Sequence, residues 1–118
     1  MNRIYYLSTC STCKNIINTW KLNDSIKQVD VKKTPISLKE LEYMYSISKS
    51  YEKLFNKRAL LFRDIKKDLN NITEELYKEL MLKHYSFLKR PILIIEKRLF
   101  IGNSKETVLK AKIELDKL

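Results

Sequence analysis

Glycine occurs once in these 118 residues, histidine once, and proline and cysteine twice each. Each scarcity excludes something. His84 and two cysteines fall short of the roughly four soft ligands that a structural zinc takes, so no metal is expected. Both cysteines, Cys10 and Cys13, lie in one Cys-x-x-Cys. A disulfide there would close too small a loop to restrain the unfolded chain, so the pair is no structural staple. No apolar run approaches the roughly 18 residues needed to span a membrane. The opening segment, Arg3-Ile4-Tyr5-Tyr6-Leu7, has no small-residue cleavage site and reads as a first strand, not a leader. A cytoplasmic protein with no membrane partner is therefore expected. There is no internal repeat, linker or low-complexity block, and 118 residues suit a single domain, residues 1–118. An Arg-Gly tract, an RNA-binding aromatic motif and a zinc finger are all missing, so direct nucleic-acid binding is not expected.

What the chain has in excess is positive charge. Twenty-four Lys and Arg stand against 14 Asp and Glu, a formal net charge of +10. Such a field favours oxyanions and acidic partners. The basic residues are dispersed, however, and a plainly solvated surface accounts for them equally well.

The apolar pattern alternates between strand and helix periods. Residues 3–7 predict a strand, broken by Ser8-Thr9. A helix is expected from about Cys10–Thr12, with Cys13, Ile16, Ile17 and Trp20 on one face, ending at Asn23-Asp24. Residues 26–31 alternate and predict a second strand. Ser37 and Glu40 form a capping box, flanked by Ile36 and Leu41 as a hydrophobic staple. Further helical stretches are expected over Tyr51–Leu61 and from Thr73. Pro91 then introduces Ile92-Leu93-Ile94-Ile95, a run that predicts a strand buried on both faces. Glu96-Lys97 supplies a two-residue turn into Arg98–Ile101, Gly102 ends that strand, and Asn103 is the expected cap of a last helix with Glu106 three residues on. Tyr5, Tyr6 and Trp20 are expected in the core, and His84 as a capping or packing residue. The order is strand, helix, strand, helical block, strand, strand, helix. This is an α/β arrangement of thioredoxin-like or glutaredoxin-like type, with a mixed sheet and an enlarged helical middle of about residues 37–88.

The chemistry concentrates at Cys10. A thiol is a poor nucleophile until it ionises, and a helix N-terminus lowers its pKa. Unpaired N–H groups of Ser11, Thr12 and Cys13 would surround Cys10, with the helix dipole and Lys14 adding positive potential. The same amides would cradle an oxyanion. Cys13, one turn inward, would be more buried and would serve as the resolving thiol. The competing reading makes both cysteines small buried hydrophobes. Arg90-Pro91 is the second signal: an X-Pro bond before a strand is a place for a cis peptide facing the Cys loop, or simply a strand-entry proline. Arg90 would clamp an oxyanion, or point to solvent.

Ser8-Thr9-Cys10-Ser11-Thr12-Cys13-Lys14, Lys89-Arg90-Pro91-Ile92, Lys97-Arg98-Leu99-Phe100-Ile101-Gly102-Asn103 and Lys57-Arg58-Ala59-Leu60-Leu61 together resemble the arsenate reductase family. That family includes glutaredoxin-coupled arsenate reductases and the Spx-type regulators of RNA polymerase. The resemblance covers nearly the whole chain. It implies that Cys10 is the nucleophile, that Lys14 is the basic residue four places on, and that Arg90 before a cis-proline at Pro91 holds the oxyanion or cysteine adduct. It implies one more arginine from the helical middle, Arg58 or Arg63. Arsenate-reducing members usually have Cys-Gly and no second cysteine, whereas Cys10-Ser11 and Cys13 are nearer the Spx type. A thiol-dependent reductase of an oxyanion or a disulfide is the leading expectation. No tightly bound cofactor is expected, and glutathione, a glutaredoxin or a thioredoxin is the expected electron donor. The alternatives are a redox-switched regulator that binds RNA polymerase, and a family member whose site is vestigial.

Overall fold

The computed structural model describes residues 2–118. The chain divides into two compact units, one made of the residues up to Thr34 together with Arg90–Leu118, the other of Pro35–Lys89.

The first unit is built on a sheet. It contains β1 (Asn2–Tyr6), α1 (Ser11–Trp20), β2 (Lys27–Asp30), β3 (Ile92–Ile95), β4 (Arg98–Ile101) and α5 (Lys105–Asp116). The strand order is β2-β1-β3-β4, with β1 parallel to β2 and antiparallel to β3, and β3 antiparallel to β4. The parallel pair requires the α1 crossover between its strands. β3 lies between two neighbours, and all four of its residues are buried, as its unbroken apolar run demands. The hairpin to β4 uses two residues, Glu96 and Lys97, between the partners Ile95 and Arg98, and Glu96 takes φ +56. Ile4, Leu93 and Ile95 of the sheet pack with Ile16 and Trp20 of α1 and with Ala111 and Leu115 of α5. The Trp20 indole N–H donates to the Val108 carbonyl at 3.0 Å, so this large ring is buried without an orphaned donor.

The second unit carries α2 (Leu38–Ser48), α3 (Leu60–Ile65) and α4 (Glu74–Lys83), joined by short 3₁₀ turns. Ser37 caps α2 with the full reciprocal box: its Oγ accepts from Glu40 N–H at 3.1 Å, and Glu40 accepts from Ser37 N–H at 3.0 Å. Thr73 caps α4 through Leu76 N–H. The core of this unit is aromatic, with the Phe55 ring 4.8 Å from Phe62 and 4.7 Å from Tyr77 between centroids.

Beyond β1, which runs one residue earlier than the expected residues 3–7, four boundaries differ from the sequence pattern. The helix expected over residues 51–61 is a 3₁₀ turn at Glu52–Leu54, a bridge residue at Phe55 followed by a turn closed by Ala59 N–H on Asn56 O, and α3 beginning at Leu60. Asn56 decides this: its N–H donates to Phe87 O at 2.7 Å, its side-chain amide to Ser86 O at 3.2 Å, and its Oδ1 takes the Arg58 N–H. A side chain that offers the backbone such partners competes with the helical ladder. The last helix is capped by Ser104, which accepts from Thr107 N–H, and not by Asn103. α1 stops at Trp20, because Lys21 takes a left-handed conformation at φ +51 and donates its N–H to Ile17 O. β2 is shorter than residues 26–31 by one residue at each end. His84 is a capping residue as expected: its ring accepts from Ser86 N–H at 3.1 Å. Tyr5 and Trp20 are buried and Tyr6 is half-buried.

Candidate functional site

β1 delivers the chain to a tight turn at Ser8-Thr9, and Cys10 then occupies the N-cap of α1 in extended conformation. The Cys10 N–H donates to Leu7 O at 3.0 Å, and its carbonyl accepts from Lys14 N–H at 3.1 Å. Its thiol is half-buried, whereas Cys13 is fully buried at 0% exposure, and both are free thiols. The helical step places them one turn apart on the same face.

The two sulfurs have opposite electrostatics. Burial pushes the Cys10 thiol up, but the Cys13 N–H, the Cys13 thiol and the Arg90 guanidinium outweigh it, and the net shift is below the ordinary cysteine value. Burial pushes the Cys13 thiol up to about 11; the Leu7 N–H opposes this, and negative charge on Cys10 reinforces it. One thiol is thus prepared to ionise first and the other to keep its proton.

Arg90 precedes β3 and is joined to Pro91 by a cis peptide bond. Pro91 is buried, and its carbonyl accepts the Gly102 N–H at 2.9 Å. Gly102 takes φ +89, a conformation open to glycine at little cost. The fold therefore brings Cys10, Cys13 and Arg90 together from two distant stretches of sequence. Ser11, Thr12 and Lys14 are all exposed on the first turn of α1, and the cation acting on the Cys10 sulfur is Arg90. Arg58 and Arg63 belong to the second unit, Arg58 just before α3 and Arg63 within it, and both are exposed. Among the described residues no three His, Cys, Asp or Glu side chains gather as a metal site would require.

Sequence reading missed Asp30. It was the polar member of an alternating strand, yet Val29, Asp30 and Val31 are all buried. An acidic residue between two valines at a strand end, followed by Lys32-Lys33, was the only available signal.

A Cys-x-x-Cys at the mouth of the helix after the first strand, with an arginine and a cis-proline at the start of β3, defines a thiol site of the thioredoxin-like class. Residues 5–111 match the ArsC family, and the chain belongs to that family. It is 25% identical over 111 residues to the global transcriptional regulator Spx of Listeria monocytogenes, covering 92% of this chain and 84% of that protein. The Spx of Enterococcus faecalis is 24% identical, with coverages of 92% and 83%. Among solved structures, the arsenate reductase of Vibrio cholerae superposes with a TM-score of 0.76 at 18% identity, over 92% of this chain and 95% of that one. An arsenate reductase related protein from Brucella melitensis gives 0.71 at 24% identity, over 96% and 94%. These likenesses establish the fold. No helix among the described residues is long and apolar enough to cross a membrane.

Proposed function

We propose that the protein is a cytoplasmic thiol-dependent reductase that uses Cys10 as nucleophile and Cys13 as resolving thiol on an oxyanion or a disulfide. The observation that carries this is the division of labour between the sulfurs: Cys10 lies beside Arg90 with its pKa lowered, while Cys13 is buried with its pKa raised to about 11.

The order of steps follows from the same interactions. With a disulfide substrate, the Cys10 thiolate bonds to one substrate sulfur and the other leaves as a thiolate. Cys10 then carries no charge, which removes one of the causes that keeps Cys13 protonated. Cys13 passes its proton to the departing thiolate, attacks the Cys10 sulfur and expels the second half of the substrate. Two protein thiols are oxidised to one disulfide and the substrate is reduced to two thiols. With an arsenate-type oxyanion, Cys10 forms a sulfur–arsenic bond with loss of water, and attack on the Cys10 sulfur by Cys13 or glutathione releases the reduced oxyanion. Arg90 and the amides of Ser11 and Thr12 would neutralise substrate charge, and Lys14 would add to the field at the rim. Glutathione, a glutaredoxin or a thioredoxin would return the enzyme to its dithiol form.

The test is thiol-dependent reduction of arsenate and of a glutathione mixed disulfide by the wild-type protein and Cys10→Ser. Turnover in at least one assay, lost in Cys10→Ser, is expected; turnover in neither refutes the reading. The Spx relatives favour a second reading, a redox-switched regulator that binds RNA polymerase. Capture of polymerase in one redox state only would favour it, and no capture in either would remove it.

A further inference from the structure

Asp30 is a buried carboxylate, 8% exposed, that the thiol chemistry leaves without a task. Carboxylates are seldom buried unless something compensates for lost hydration. Its Oδ1 accepts from Lys32 N–H at 3.1 Å and from Ser8 N–H at 3.4 Å, long for such a bond. Burial raises its pKa, but the Ser8 hydroxyl, the Lys32 and Ser8 amides and the Lys33 charge bring it below the usual carboxylate value. The second oxygen, Oδ2, is buried without a hydrogen-bond partner. A residue chosen only to fill the end of β2 would not be charged.

The bonds beyond Ser8 supply a reason. A peptide unit is planar, so fixing its N–H fixes its C=O. The Ser8 N–H and the Leu7 C=O are the two ends of one such unit. Asp30 holds the N–H end, and the C=O end takes the Cys10 N–H at 3.0 Å. The preceding unit is anchored in the same way: its Tyr6 C=O accepts Val31 N–H at 2.9 Å, and its Leu7 N–H favours the ionised form of Cys13. Two consecutive plates thus run from the end of β2 to the two cysteines, one anchored by backbone and the other by the Asp30 carboxylate. An ionised acceptor polarises the amide it binds and strengthens the bond at the far end of the plate.

We propose that Asp30 is a positioning residue of the thiol site, whose carboxylate sets the plane of the Leu7–Ser8 peptide and so holds Cys10 at the mouth of α1. The proposal rests on Cys10 being the reactive thiol. It is tested without substrate, so absent turnover would defeat the reductase reading alone. Alkylation of Cys10 by iodoacetamide is followed against pH in the wild type, Asp30→Ala and Asp30→Asn. In Asp30→Ala the Cys10 rate at pH 7 is expected to fall about fivefold, the equivalent of one lost hydrogen bond, and its pH midpoint to rise. Asp30→Asn keeps an acceptor oxygen in the same place and is expected to recover most of the rate. A folded Asp30→Ala with wild-type rate and midpoint overturns the proposal, as does an Asp30→Asn no better than alanine. Should Asp30→Ala not fold, amide exchange in the wild type carries the test. Ser8 and Cys10 should be protected relative to Thr9, and a Ser8 amide exchanging at the rate of a free peptide overturns it.

Discussion

Consider limited alkylation of the folded, fully reduced protein at pH 7. Cys13, with its pKa at about 11, is ionised in about one molecule in ten thousand. Cys10 lies below the ordinary value of 9.0, so more than about one molecule in a hundred carries the thiolate. Ionisation alone therefore favours Cys10 by at least about 100-fold. Nucleophilicity works the other way, because a more basic thiolate attacks faster. Over a two-unit difference a Brønsted slope of about 0.4–0.5 returns a factor of about six to ten. The net preference is at least about tenfold before access is considered, and the complete burial of Cys13 adds to it.

The assay needs one refinement. Both cysteines fall in the same tryptic peptide, Ile4–Lys14, so fragment ions must locate the label. Substoichiometric iodoacetamide should place at least about nine labels in ten on Cys10, by the preference just derived. In denaturant the two should label at similar rates, showing that the difference belongs to the fold. Equal labelling in the folded state, or a Cys10 pH midpoint at or above 9.0, would refute the electrostatic account of the site.

Three further outcomes are expected. Arg90→Ala removes the guanidinium from the Cys10 sulfur, so the thiolate absorbance should titrate at higher pH than in the wild type; an unchanged midpoint would place the activation elsewhere. Cys13 is held neutral by the fold, so its contribution to stability is complete below 9.0 and is lost as pH rises through about 11. Chemical denaturation should show the wild type losing on the order of 1 kcal/mol relative to Cys13→Ala between neutrality and pH 10. Ser37→Ala removes one half of the α2 capping box and should cost about 1 kcal/mol, read as a lowered midpoint of thermal unfolding with Cys10 alkylation unchanged.

What the sequence made legible is what local chemistry decides. The Ser37–Glu40 box needs only residues three apart, and the turn at Glu96-Lys97 follows from an apolar run, two polar residues and a second apolar run. What it concealed is what distant partners decide. Residues 51–61 have the apolar spacing of a helix, but Asn56 bonds to the backbone of residues 86 and 87, thirty positions on, and that pairing overrides propensity. The thiol site divides along the same line. Cys10, Cys13 and the helix that carries them were visible because they are consecutive. Lys14 is the expected source of positive charge at the sulfur and Arg90 the expected clamp for an oxyanion; Arg90, eighty residues away, also lowers the Cys10 pKa, an effect that only its position in the fold reveals.

Asp30 is the extreme case, since nothing near it in sequence is reactive. Its importance arises only because β2 lies parallel to β1 with Tyr6 opposite Asp30, which brings the carboxylate alongside the peptide that leads into the cysteine loop. In register by one residue either way, a valine would stand there and the carboxylate would face elsewhere. Strand pairing therefore does more than bury the sheet's apolar residues. It selects which side chain reaches the Ser8 amide, and through that amide it fixes where the Cys10 backbone stands.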